Sequence, residues 1–149
     1  GFEAPVSAVY SVGNRSAAIR IPKYANQPEN SRFEFRPPDA TGNPYLMVAA
    51  QLMAGLDGVA KRMDPTALGF GPVDEDIFAW PAEKRASIKA LPTSLGQAID
   101  ALEADDSFLL EGGVCSEDLI RRWIERKRRE ERDVLNRPHP HEIELYYDL

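Results

Sequence analysis

Apolar residues recur at two spacings along this chain, every second position near the N-terminus and every third or fourth after residue 43. Val6 to Val12 alternates weakly and reads as a strand. The run Ala17-Ala18-Ile19-Arg20-Ile21 alternates clearly, with Ala17, Ile19 and Ile21 on one face and Ala18 and Arg20 on the other. In Ser31 to Arg36 the same period puts Phe33 and Phe35 on one face and Arg32, Glu34 and Arg36 on the opposite one. The phenylalanine face is expected to join a core and the charged face a site. Gly13-Asn14 is a turn signal that lets the chain reverse between its first two strands. The polar loop from Lys23 to Asn30 connects the next two as an antiparallel pair.

From Asn43 the period changes. Asn43 is a capping residue and Pro44 occupies the first helical position, where its missing N–H is harmless. Tyr45 to Val59 is apolar nearly all round, which predicts a helix buried on most sides. Met63 to Thr93 has no helical period, and loops of that length in compact domains are usually functional or disordered. Ser94-Leu95-Gly96-Gln97 has the form of a capping box, followed by Leu95, Ala98, Ile99 and Leu102 on one helical stripe. Asp105 or Asp106 caps a short turn through Phe108 to Leu110, ended by the left-handed geometry open to Gly112-Gly113. Ser116 caps a third helix with Glu117 and Asp118 in its first turn. Leu119, Ile120, Trp123 and Ile124 supply its buried stripe, which Val134 and Leu135 resume. The fold class is α+β, an N-terminal hairpin of antiparallel strands followed by a mostly helical C-terminal region.

Composition narrows the classes. The 149 residues suit one domain, and 43% hydrophobic with 28% charged residues is ordinary globular content. A net charge of −6 argues against nucleic acid as a partner. The basic run Arg121 to Arg132 does not change this, because Glu125, Glu130, Glu131 and Asp133 interleave with it. Pairs such as Glu125 with Arg129 make it a solvated, ion-paired face. A lone cysteine, Cys115, forms no internal disulfide and fits a reducing cytoplasm. No apolar run approaches the roughly 20 residues a bilayer span needs. The chain opens on Gly1 rather than methionine, which reads as a piece of a longer protein.

The candidate chemistry lies on the charged strand faces. Arg20, Arg32 and Arg36, with Arg15 just before, are expected to converge on Glu34. Guanidinium forks match phosphate and carboxylate oxygens. The single carboxylate among them suits a hard cation that shares phosphate oxygens with its substrate. A surface ladder of cross-strand ion pairs is the competing reading of the same residues. His139 and His141 flank Pro140 without a third metal ligand at a typical spacing.

Gly1-Phe2-Glu3-Ala4-Pro5, Asn14-Arg15-Ser16-Ala17, Ile19-Arg20-Ile21-Pro22, Phe33-Glu34-Phe35-Arg36-Pro37-Pro38-Asp39, Asn43-Pro44-Tyr45-Leu46 and Met53-Ala54-Gly55-Leu56-Asp57-Gly58 come in a telling order. With Gly112-Gly113-Val114 and Pro138-His139-Pro140-His141-Glu142, they resemble the C-terminal part of bacterial type I glutamine synthetase. The resemblance implies a single partial domain over 1–149, with active-site strands in 1–40 and helices in 41–149. A long loop at 63–93 and a tail at 138–149 complete it. It implies a glutamate–ammonia ligase that uses ATP and magnesium or manganese and passes through γ-glutamyl phosphate. On that resemblance Glu34 is a metal ligand, Arg36 and Arg15 hold glutamate and phosphoryl oxygens, and Arg20 contacts nucleotide phosphates with help from Arg32. Glu3 is the flap glutamate that closes over the ammonium and glutamate site. The family commonly carries a lysine and a further arginine just ahead of Arg32, where this chain has Glu29 and Ser31. Phe78 stands where related enzymes carry a tyrosine modified by AMP, which implies no adenylylation here. The tail from Glu142 to Leu149 is expected to reach into an opposing ring of a dodecamer, leaving Leu145, Tyr146 and Tyr147 as a sticky patch without it. The chain alone is expected to be inactive. A non-catalytic assembly module, or a relative that ligates glutamate to another amine, shares the same motifs.

Overall fold

The computed structural model describes residues 5–25 and 27–148, so the expectation for Glu3 lies outside the described residues. The chain divides into two compact units, residues 1–92 and 93–149. The architecture is α+β, as the change of period predicts: a three-stranded sheet and then mostly helix.

In the first unit β1 (Ser7–Val12), β2 (Ala17–Ile21) and β3 (Glu34–Phe35) lie in that order in one sheet. β2 and β3 are antiparallel, with Arg20 opposite Glu34 and Ile19 opposite Phe35. β3 is much shorter than the alternation from Ser31 to Arg36 predicts. Ser31 still belongs to a 3-10 turn over Pro28–Asn30, its N–H donating to Pro28 O. Pro37 and Pro38 then bring no N–H to extend the ladder. β1 and β2 run parallel, against the expected reversal at Gly13-Asn14. Parallel neighbours ordinarily need a crossover of about a dozen residues. Here residues 13–16 suffice, because Asn14 holds the link to the loop 73–75 instead of closing a hairpin.

The long stretch after α1 is ordered rather than loose, and β1 is what orders it. Tyr10 N donates to Phe70 O (2.8 Å) and Tyr10 O accepts from Val73 N (3.0 Å), while Ala8 N donates to Lys89 O (2.9 Å) and Val6 O accepts from Leu91 N (2.9 Å). Gly71 has φ +129°, and a Cβ there would come within 2.5 Å of Tyr10 O, so this close pairing requires glycine. Between the two straps lie a 3-10 turn at Ile77–Ala79 and α2 (Ala82–Ala86). They bring Ile77 onto Val9 and Ala17, with Val73, Trp80 and Ile88 packed around them.

That core lies at the β1 side of the sheet, and two expectations fail as a result. Phe33 and Phe35 are 66% and 43% exposed, not buried, because no described residue forms a layer over their side of β3. α1 (Pro44–Ala60) starts where predicted, with Asn43 Oδ1 accepting from Tyr45 N (3.0 Å) and Leu46 N (3.2 Å). It is not a buried helix, since only Met53 is covered and Tyr45, Val48, Leu52, Leu56 and Val59 are exposed. A helix apolar on every side needs neighbours on every side.

In the second unit α3 (Leu95–Ala104) packs on α5 (Glu117–Leu135), with α4 (Ser107–Leu110) between them in sequence and α6 (Pro140–Tyr146) after. Ser94 Oγ caps Gln97 N (3.1 Å), but Gln97 Oε1 accepts from Thr93 N and Thr93 Oγ1 and not from the cap residue. Gly112 and Gly113 take φ of +65° and +69° and end α4 as expected. Ser116 caps α5. Ile99, Leu109 and Ile120 are buried, while Val134 and Leu135 are exposed and do not resume the stripe. The 10 residues of α3 are too short to cover the last turns of the 19-residue α5.

Candidate functional site

Register builds the site. Ser11 pairs with Arg20 in the β1–β2 ladder and Arg20 with Glu34 in the β2–β3 ladder, so the three form one row across the sheet. A slip in β1, where Ser7 to Tyr10 opposes Ala17 to Ile19, sets Ser11 rather than Tyr10 beside Arg20. Arg20 Nη1 donates to Glu34 Oε2 at 2.8 Å and Arg20 Nε to Gly13 O at 3.3 Å. The guanidinium is thus pinned at both ends, and its side chain is only 20% exposed.

The cluster expected around Glu34 is only partly brought together. Arg20 is in hydrogen-bond contact with Glu34. Arg32 is paired not with Glu34 but with Tyr24, to whose hydroxyl its Nη2 donates at 2.7 Å and from whose ring centroid its guanidinium carbon lies 4.9 Å. Arg36 is half-buried at the end of β3, its backbone N–H donating to Ala18 O at 2.9 Å. Arg15 is exposed in the link between β1 and β2.

Behind Arg20 lies a polar network absent from the sequence reading. Asp74 Oδ1 accepts from Ser11 Oγ (2.9 Å) and Val12 N (2.7 Å), and Ser11 Oγ accepts in turn from Asn14 N (3.1 Å). Asn14 Nδ2 donates to Val73 O (3.2 Å) and Glu75 O (2.6 Å), and its Oδ1 accepts from Ser16 N and Oγ. Ser11 is completely buried, and its hydroxyl donates once and accepts once within the network. A cavity of about 380 Å³ opens beside it, lined by Val12, Gly13, Asn14, Lys23, Asp74 and Asp76. These partners are 59 to 63 residues from β1 and the link in sequence, so no local pattern could have signalled them. Further along the same loop, Lys84 and Trp80 both donate to Glu75 Oε2, and the Lys84 contact first of all holds the Glu75 carboxyl below its ordinary range.

Phe78 is exposed in the 3-10 turn that Asp76 caps. His139 Nδ1 caps α6 by accepting from His141 N, and His141 Nδ1 lies 3.0 Å from Glu144 Oε2, so both histidines have local structural partners. Among the described residues no group of three or more His, Cys, Asp or Glu comes together as a metal site. Glu34 fits a magnesium- or manganese-type ion as one oxygen ligand, which is the protein's usual share where substrate phosphates supply others. No helix among the described residues is long and apolar enough to cross a membrane.

Residues 1–146 match the family model described as glutamine synthetase, catalytic domain. Glutamine synthetase of Mycobacterium bovis is 51% identical over 150 residues, covering all of this chain and 30% of its own length. That of Aquifex aeolicus is 50% identical over 149 residues, with 31% of its length covered. A Plasmodium falciparum glutamine synthetase structure superposes with a TM-score of 0.78 at 27% identity, over 99% of this chain and 35% of that one. A GmaS complex with ADP gives 0.77 at 30% identity, over 99% and 31%. The chain therefore spans about a third of the length of the relatives it matches.

Proposed function

This chain belongs to the glutamine synthetase catalytic-domain family, and from that premise we propose that it is the C-terminal part of an ATP-dependent glutamate–ammonia ligase. The observation that carries the reading is the Arg20–Glu34 pair across β2 and β3, which sets a guanidinium fork against a carboxylate on the predicted face. The solved GmaS relative is a complex with ADP, which supports a nucleotide among the ligands of this chain's full protein.

In this reading an oxygen of the glutamate side-chain carboxylate attacks the terminal phosphorus of ATP, ADP leaves, and ammonia displaces phosphate from the γ-glutamyl phosphate. Phosphoryl transfer of this kind depends on positioning and charge neutralisation more than on proton transfer. Arg20 and Arg32 orient the nucleotide phosphates, Arg15 and Arg36 hold the transferring phosphoryl group and glutamate, and Glu3 closes over the ammonium. Glu34 offers an oxygen to magnesium or manganese, which when bound neutralises phosphate charge. The remaining ligands come from the rest of the catalytic domain, which also covers α1 and Phe33. The natural assembly is a cytoplasmic oligomer, a dodecamer in the closest reading of the motifs, with the α6 tail packed on a neighbouring subunit.

The test is glutamine formation from glutamate, ammonia and ATP. The full-length enzyme should be active and this chain alone inactive; inactivity of both would favour a non-catalytic assembly module. Turnover with another amine but not ammonia would favour the amine-ligating relative. In the full-length enzyme Arg36→Lys should lower kcat by about tenfold or more, because a point charge does not replace the planar fork. Unchanged turnover would remove Arg36 from the site.

A further inference from the structure

We propose that Tyr24 is a positioning residue for Arg32, fixing the guanidinium that addresses the nucleotide phosphates. This rests on the reading above that Arg32 contacts the nucleotide. Arg32 lies outside β3, so no strand ladder orients it, and arginine has more rotamer freedom to lose than most side chains. Tyr24 restricts that freedom in two ways at once. Its hydroxyl accepts from Nη2 at 2.7 Å, and its ring lies under the guanidinium carbon at 4.9 Å. The hydrogen bond sets the direction of the fork and the ring face sets its plane. Only one N–H is used in that bond, which leaves the other donors of the fork for phosphate oxygens.

The segment that carries the ring is anchored by its neighbours. Pro22 and Ala25, on either side of Tyr24, are buried, and Ala25 N donates to Pro22 O at 2.9 Å, closing a tight turn. Tyr24 thus projects from a turn with buried ends although it belongs to a loop, the arrangement that lets one side chain align another. Packing does not account for its presence. At 61% exposed the ring contributes little to a core, so its contacts with Arg32 are what it has to offer. A solitary tyrosine in a polar loop carries no sequence pattern, and only the fold brings it to an arginine eight positions away.

The experiment compares full-length enzymes carrying Tyr24→Phe, Tyr24→Ala, Arg32→Ala and the double variant Tyr24→Ala/Arg32→Ala, reading KM for ATP, KM for glutamate and melting temperature. Tyr24→Phe keeps the ring and should raise KM for ATP about twofold to threefold, and Tyr24→Ala about fivefold to tenfold. KM for glutamate and melting temperature should stay at the parent values. The double variant should be no worse than Arg32→Ala alone, since a positioning residue has nothing to position once the arginine is gone. Losses that multiply in the double variant, or a Tyr24→Ala enzyme with parental KM for ATP beside an impaired Arg32→Ala, overturn the role of Tyr24. An Arg32→Ala enzyme with parental KM for ATP overturns instead the nucleotide reading of Arg32, and the proposed role falls with it.

Discussion

At the scale of single residues, Asn14 does more for the site than its exposure suggests. Its amide uses both N–H groups and accepts twice, tying the link between β1 and β2 to the carbonyls of Val73 and Glu75. Alanine there would strand two carbonyls and the Ser16 amide in a half-buried position. We expect Asn14→Ala to lower unfolding free energy by about 2 to 4 kcal/mol. A urea midpoint within error of the parent would mean that the network is dispensable. Phe78 makes a simpler case. A phenyl ring has no hydroxyl to esterify, and the chain has no tyrosine between Tyr45 and Tyr146. Incubation of the full-length enzyme with an adenylyltransferase and ATP should leave this loop's peptides at their unmodified mass, while Phe78→Tyr offers an acceptor at the same exposed turn. An AMP-bearing parental peptide from this loop would contradict the expectation.

At the scale of elements, α5 carries a dense set of ion pairs along its exposed face. Asp118 pairs with Arg121 and Arg122, Glu125 with Arg121 rather than Arg129, and Glu130 with Arg126 and Lys127. Arg128 reaches out of the helix to Asp100, Glu103 and the Gly96 carbonyl of α3, so it also fixes how the two helices meet. Hydrogen bonds from Arg122 and then Arg121 hold the Asp118 carboxyl below its ordinary range, and those from Lys127 and then Arg126 do the same for Glu130. A carboxyl lowered in this way binds fewer protons folded than unfolded. Its contribution is therefore complete above the unfolded value and is lost as pH falls through the folded one. The helical signal and urea midpoint should hold from pH 7 to about 5 and decline below about 4. Because these pairs are exposed, added salt should weaken them at neutral pH as well. A midpoint that rises on acidification would show that the pairs do not support the helix.

At the scale of the whole molecule, the described surface carries several exposed apolar groups. They include Phe33, Leu52 and Leu56 in the first unit and Leu145, Tyr146 and Tyr147 in the second. Exposed apolar area of this kind drives association. The isolated chain should sediment as concentration-dependent oligomers and bind a hydrophobic dye, and Leu52→Glu with Leu56→Glu should reduce both. A chain that stays monomeric and dye-silent would mean that these faces are tolerated in water. The site was legible where it depended on neighbours in sequence. Alternation alone put Arg20 and Glu34 on the same face. It could not show that Arg32 pairs with Tyr24, nor that Ser11 bonds to Asp74, because those contacts are made by folding rather than by period.

Sequence by itself determined where the main helices start, that β2 and β3 are antiparallel, and that a carboxylate faces an arginine across them. Each of these follows from capping groups and side-chain alternation acting over a few residues. Tertiary structure decided that β1 runs parallel to β2, that the stretch from 63 to 93 is strapped to β1, and that Phe33 and the flank of α1 remain open. Those outcomes depend on which distant carbonyls and apolar surfaces come within reach, and hydrophobicity along a chain records that a residue seeks cover without recording what will provide it.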